Sequence, residues 1–188
     1  AEYPGINVVG RETGSWDQAT GQQVMSDFLA SLPNIDGVWT QDGMATGVLT
    51  AIQTANPAEW PLATGEARAS YVQNWNAILE ERPDFKSIGV VNPPGVATSG
   101  LMVAVELLLG REIDPEQLGG PYGNTLYVPI PYVVLGEEWT YTNMDGEETV
   151  LPSNLEEIYT EVAELPESYT LDGELTLEEV EAFLLPAS

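Results

Sequence analysis

Leu32-Pro33-Asn34-Ile35-Asp36-Gly37-Val38-Trp39-Thr40-Gln41-Asp42-Gly43-Met44-Ala45-Thr46-Gly47 is the stretch that decides the fold of this chain. Pro33 stops the helical pattern before it, residues 34–37 read as a turn, and residues 38–41 form a short apolar run that ends in polar side chains. Gly43 allows the backbone to turn sharply, after which Met44, Val48, Leu49 and Ile52 recur at helical spacing as far as residue 55. A buried strand therefore feeds a helix through a loop that displays Gln41 and Asp42.

The same unit repeats on both sides. Upstream, the apolar run 6–9 leads to Arg11 and Trp16. Ser15 and Gln18 then have capping-box spacing ahead of a helix over 16–32 carrying Val24, Met25, Phe28, Leu29 and Leu32. Downstream, a strand over 60–64 leads to Glu66 and Arg68 and a helix over 69–81, with Tyr71, Val72, Trp75, Ile78 and Leu79 as its apolar stripe and Pro83 as its stop. A third strand over 87–91 leads to Asn92 and the stiff turn Pro93-Pro94-Gly95, then a helix over 96–109 closed by Gly110. Alternation of short strands with longer helices predicts an α/β fold, a doubly wound parallel sheet. In such a sheet the carboxyl ends of the strands face one crevice, so residues spread over some eighty positions meet at one site.

After Gly110 the pattern changes. Gly119, Gly120, Pro121 and Gly123 make a loop, and 126–135 is extended but carries Pro129 and Pro131, which suit an edge strand or a hinge crossing. From Gly136 onward the chain reads as an acidic C-terminal extension, with short helices expected at 154–163 and, after a second capping box at Thr176 and Glu179, at 177–184. Asn143, Asp145 and Gly146 resemble part of a calcium loop but lack its first ligand and closing Glu, so no metal site is assigned.

Composition removes several classes of function. The 188 residues are 43% hydrophobic, enough to fill a core. Thirty acidic residues face five basic ones, and the formal charge of -25, with Lys86 the sole lysine, repels nucleic acid and anionic membrane surfaces. With no cysteine there is no disulfide framework or thiol nucleophile, and with no histidine there is no serine-histidine catalysis. No run of eighteen apolar residues and no charged-then-apolar leader occurs, and the chain opens on Ala1 rather than Met, the expectation for a soluble mature or processed product.

The candidate site residues are Trp16, Gln41, Asp42, Glu66, Arg68 and Asn92. Trp16, after Gly14 and Ser15, is either a flat apolar platform for a sugar ring or a hydrophobic staple on its own helix. Asp42 either binds hydroxyls or caps the next helix. Arg68 either orients Glu66 or ion-pairs with it at the surface, or it meets a ligand oxygen through its planar fork. Gln41 and Asn92 offer neutral hydrogen bonds. As paired carboxylates Asp42 and Glu66 carry no signature of glycoside hydrolysis, and there is no Gly-rich phosphate cradle or Walker lysine. No catalytic residue, metal or cofactor is assigned; the set suits reversible binding of a polyol.

With these residues in hand, the chain resembles the type I periplasmic solute-binding proteins, the ribose-binding-like family that delivers sugars to ABC importers. The resemblance rests on Gly14-Ser15-Trp16-Asp17, on the opening stretch through Gly47, on Thr64-Gly65-Glu66, and on Asn92-Pro93-Pro94 before a helix ending Leu109-Gly110-Arg111, and it covers about residues 3–135. It implies two lobes that close on a small sugar or polyol, with Trp16 stacking on it. Gln41 and Glu66 would be polar contacts, Asn92 would lie near the crossing between lobes, and an ABC transporter permease would be the partner. It also implies a periplasmic or extracellular location. The chain matches the carboxy-terminal portion of such a protein. Residues 1–93 are expected as a ligand-binding lobe lacking its first strand and helix, and 94–124 as a crossover helix packing with a missing N-terminal lobe, held on a separate chain or a cleaved part. Residues 125–188 are expected as a return strand and acidic tail. Two alternatives stand beside this: the effector-binding part of a sugar-responsive transcription regulator, which would require a basic helix-turn-helix upstream, and a carbohydrate-active enzyme using Asp42 and Glu66.

Overall fold

The computed structural model describes residues 4–91, 95–128, 132–142, 146–171 and 173–186. They group into two compact units, Ala1–Val90 with Val134–Tyr169 and Val91–Val133 with Thr170–Ser188. The stretch after 125 does not stay together, since its middle part joins the first unit and its end the second.

In the first unit, α1 (Gln18–Ser31), β1 (Gly37–Trp39), α2 (Met44–Ala55), β2 (Leu62–Glu66), α3 (Ala69–Glu81) and β3 (Ser87–Val90) alternate as the apolar periodicity requires. β1 pairs with β2 and β2 with β3, both parallel, in a register that aligns Val38 with Ala63 and Ala63 with Ser87. Val38 packs against Met25, Val48, Ala51 and Ile52, and Tyr71 Oη and Ser87 Oγ are hydrogen-bonded at 2.7 Å. These alternate strand residues put α1, α2 and α3 against one face of the sheet. Burial pushes the Tyr71 hydroxyl pKa far above its ordinary value, the bond to Ser87 offsetting part of the effect. On the opposite face Trp39 is 79% and Leu62 39% exposed, so this α/β lobe is incomplete, with one side of its sheet uncovered at β1 and β2.

Glycine sets how closely α1 meets α2. A Cβ on Gly47 would fall on the carbonyl oxygen of Gln18, and one on Gly21 would lie 3.0 Å from the Met44 carbonyl. The two helices touch backbone to backbone there.

Two expectations for the amino-terminal part are corrected. Residues 6–9 are not a strand: they pair with nothing among the described residues and Ile6 and Val8 are 70% and 63% exposed. Their apolar sequence specifies an extended chain, but a strand also needs a neighbour to bond. Ser15 is not the N-cap of α1. Asp17 is, its Oδ1 accepting from Thr20 N at 2.8 Å and Thr20 Oγ1 at 2.7 Å, because a carboxylate here outcompetes a hydroxyl two residues earlier.

The acidic part beyond Gly136 is folded into the first unit as far as Tyr169. β6 (Val133–Leu135) adds to the sheet beside β3. β7 (Trp139–Thr142) and β8 (Glu148–Leu151) make an antiparallel pair. In α5 (Leu155–Val162), Leu155, Ile158 and Val162 are buried while Glu156 and Glu157 face solvent in its first turn, where negative charge suits the helix dipole. Gln73 on α3 donates to the carbonyls of Val162 at 2.7 Å and Leu165 at 3.1 Å, satisfying groups that the end of α5 leaves open.

The second unit is built on α4 (Gly95–Leu108), with β4 (Leu118–Gly119) and β5 (Thr125–Leu126) as a small antiparallel pair and α6 (Leu177–Glu181) near the end. Val103, Leu175 and Val180 form its core. The capping box at Thr176 and Glu179 is present in full. Leu101, Val105 and Leu108 on α4 are exposed at 64%, 44% and 87%. Pro129, Pro131, Asn143 and Asp145 lie outside the described residues. Among the described residues no cluster of three metal-ligating side chains occurs, and no helix is long and apolar enough to cross a membrane.

Candidate functional site

Because β1, β2 and β3 are parallel, the loops after β1 and β2 leave the sheet on the same edge. The loop after β1 carries Gln41 and Asp42; β2 ends at Glu66, and Arg68 follows as the residue before α3. Arg68 Nη2 donates to Asp42 Oδ1 at 2.8 Å and to Glu66 Oε2 at 3.1 Å. Asp42 does not cap α2: the N-cap is Gly43, which makes no side-chain cap hydrogen bond, and Asp42 Oδ1 accepts instead from the N–H of Gly43 itself at 2.6 Å and from Arg68.

The three charges sit in different surroundings. The Asp42 side chain is 45% exposed, that of Arg68 23% and that of Glu66 9%. Burial raises the Glu66 pKa above its usual 4.5; Arg68 beside it pulls the other way, and Asp42, a second negative charge, adds to the rise. Arg68 Nε is buried and has no acceptor among the described residues.

Trp16 reaches the same edge through a tight turn in which Asp17 N–H donates to the Gly14 carbonyl at 3.0 Å. Ser15 and Trp16, at its centre, have φ of 53° and 59°. Asp42 also has a positive φ, 53°. Left-handed backbone is tolerated by Asp but disfavoured for a bulky residue such as Trp. At 62% exposure Trp16 is not seated on α1 as a staple would be.

Gly43 is the contact point that sequence reasoning did not single out for this role. A Cβ there would lie 3.2 Å from the Trp16 carbonyl oxygen and 3.6 Å from Arg68 Nη1, so the absence of a side chain lets the Trp16 turn and the arginine close on α2. The signal was its place directly after Asp42, which was read only as a freedom to turn.

The predicted residues therefore fall into two groups. Asp42, Glu66 and Arg68 form one charged cluster. Trp16 and Gln41 line a cavity of about 690 Å³ that extends along α1 and β1. Asn92 lies outside the described residues.

The family model for the periplasmic binding protein domain matches residues 1–112. The chain belongs to the periplasmic binding protein family. A xylitol-binding protein from Mycolicibacterium smegmatis is 29% identical over 118 residues, which make up 62% of this chain and 32% of the relative. The chain spans about a third of the length of that curated relative. A crystal structure from Mycobacterium smegmatis aligns with 86% of this chain and 44% of its own, at 19% identity and a TM-score of 0.44. In this member of the periplasmic binding protein family, the strand-end cluster is a set of charged hydrogen-bonding groups, and the backbone of the Trp16 turn lies against Gly43 beside Arg68.

Proposed function

We propose that this chain binds a small sugar or polyol reversibly at the carboxyl ends of β1 and β2, as part of the substrate-binding component of an ABC importer outside the cytoplasm. The observation that carries the reading is Arg68, held between Asp42 and Glu66, with Trp16 and Gln41 at the same edge. Carboxylates oriented by an arginine present acceptors to hydroxyl groups, and each charged hydrogen bond to such a ligand is worth about 1.5–3 kcal/mol. The exposed indole supplies an apolar face for C–H groups. The family match and the xylitol-binding relative support the same ligand class.

In this reading Gln41, Asp42, Glu66, Arg68 and Asn92 are polar contacts, Trp16 is the platform, and no chemistry follows binding. A second lobe closes over the ligand by hinge motion, and the transporter permease receives the closed form. The exposed Leu101, Val105 and Leu108 on α4 support a further packing partner for the residue 94–124 segment, which we assign to that lobe.

Titration calorimetry with xylitol, ribose and glucose tests the proposal. Saturable binding of at least one of them, with the ligand recovered unchanged, is expected. Absence of heat with all three, in a chain shown folded by circular dichroism, would overturn it, and conversion of the ligand would favour a carbohydrate-active enzyme instead.

A further inference from the structure

Helix α3 begins on an arginine. Asp, Asn, Ser and Thr are favoured at that position because their oxygens accept from the first backbone N–H groups, and a cation there opposes the helix dipole. Arg68 has no oxygen to offer and its side chain makes no capping bond; it is turned instead to Asp42 and Glu66. The donors at the start of α3 are met from much further along the chain. The Ala69 N–H donates to the Tyr169 carbonyl at 2.9 Å and the Ser70 N–H to the Glu167 carbonyl at 3.2 Å. Those of Tyr71 and Val72 donate to the Arg68 carbonyl, both at 3.0 Å.

Residues 166–169 form a turn closed by the Tyr169 N–H, which donates to the Pro166 carbonyl at 2.8 Å. They follow α5, whose carboxyl end is held by Gln73, so α3 is tied to this stretch at residues 69, 70 and 73. They also lie beyond residues 1–112, which the family model matches. A helix start with free N–H groups is a ready site for an anion, but the N–H groups of residues 69–72 are all taken. At α2 the Gly43 N–H donates to Asp42 Oδ1 at 2.6 Å and the Ala45 N–H to the Asp42 carbonyl at 3.1 Å.

We propose, resting on the polyol-binding reading above, that residues 166–169 are a positioning segment of the binding site. By meeting the first donors of α3 with carbonyl oxygens, they let an arginine start that helix and hold it between Asp42 and Glu66. They also close the helix end to anionic ligands. The site is then selective for uncharged polyols. A ligand carboxylate arriving there meets two carboxylates against one guanidinium and finds no free N–H in the first turn of α3.

The probes are xylitol and sodium xylonate, the same carbon chain with one terminal hydroxymethyl group replaced by a carboxylate. Calorimetry near neutral pH on the 188-residue chain is expected to show xylonate binding at least roughly tenfold more weakly than xylitol. Tyr169→Pro removes the N–H that closes the turn and so releases the Ala69 and Ser70 donors. It should weaken xylitol and strengthen xylonate, narrowing their ratio by roughly tenfold. Ala69→Pro removes one donor outright: proline is accepted at the first helical position, and Arg68 already has the extended backbone that precedes proline, φ -104° and ψ 167°. It should weaken xylitol as Tyr169→Pro does, without the same gain in xylonate. Equal wild-type affinity for the two ligands, or a loss in both variants that is proportionate for both ligands, would overturn the proposal. The wild-type ratio decides the charge selectivity whatever the stability of the variants. Silence toward both ligands in a folded wild-type chain would overturn the polyol-binding reading itself, and this proposal with it.

Discussion

Arg68 holds Asp42 from twenty-six residues further along the chain, Nη2 to Oδ1 at 2.8 Å, and the same nitrogen holds Glu66 at 3.1 Å. One cation thus joins the ends of two neighbouring parallel strands and separates two carboxylates that would otherwise repel. Arg68→Met keeps much of the stem and removes the charge. We expect it to weaken polyol binding by roughly 10- to 100-fold, the worth of one or two charged hydrogen bonds. Arg68→Lys should recover only part of the loss, because an ammonium lacks the planar fork. Calorimetry on both variants checks this.

Glu66 gives a pH test. Its folded pKa is raised above 4.5, chiefly by burial, so the unfolded chain releases this proton first as pH rises. The contribution to stability is full below the unfolded value and is lost as pH rises through the folded one. Glu66→Gln cannot titrate. Urea unfolding of the two proteins should therefore show wild type losing stability relative to the variant from about pH 4.5 upward, over the window set by the raised pKa. Parallel profiles would contradict the assigned environment.

Trp16→Ala separates binding from folding. Because the residue is 62% exposed, its removal should change stability by no more than about 0.5 kcal/mol. Loss of the aromatic face should weaken sugar binding by roughly tenfold. Thermal melts paired with calorimetry read both effects, and unaltered affinity would remove Trp16 from the site.

Gly47→Ala probes the contact of α1 with α2. The added methyl meets the Gln18 carbonyl, a backbone atom that no rotamer change can move aside. Destabilisation of about 1–3 kcal/mol is expected from overpacking, read as a lower urea midpoint.

Salt should stabilise this chain. At a formal charge of -25 the folded state carries strong self-repulsion, and added ions screen it. Raising sodium chloride from low concentration to near-molar should lift the thermal midpoint by roughly 2–4 °C or more, about 1 kcal/mol for a chain of this length. A flat or falling midpoint would show that the acidic side chains are spread too widely to repel.

Much of the fold was legible because its cause is local. Val48 and Ile52 repeat at helical spacing and are buried; Thr176 and Glu179 have capping spacing and form the box. The run 6–9 was misread because apolar alternation specifies an extended chain but not the neighbour it bonds. Ser15 was misread as a cap because spacing does not say which of several oxygens near a helix start wins; Asp17 did. Of the site, the strand-end placement of Gln41, Asp42, Glu66 and Arg68 followed from the alternation of elements alone.

What the sequence determined by itself was the order and kind of the elements, the charge, the absence of histidine and cysteine, and the edge of the sheet on which polar side chains gather. These depend on residue type and on spacing within one or two turns. Only the tertiary structure decided that Arg68 joins Asp42 to Glu66, that Glu66 is buried, and that Gly43 lets Trp16 and Arg68 close on α2. Each of these is a contact between segments distant in sequence, set by the register of parallel strands and the approach of helices, and no local pattern encodes such distances.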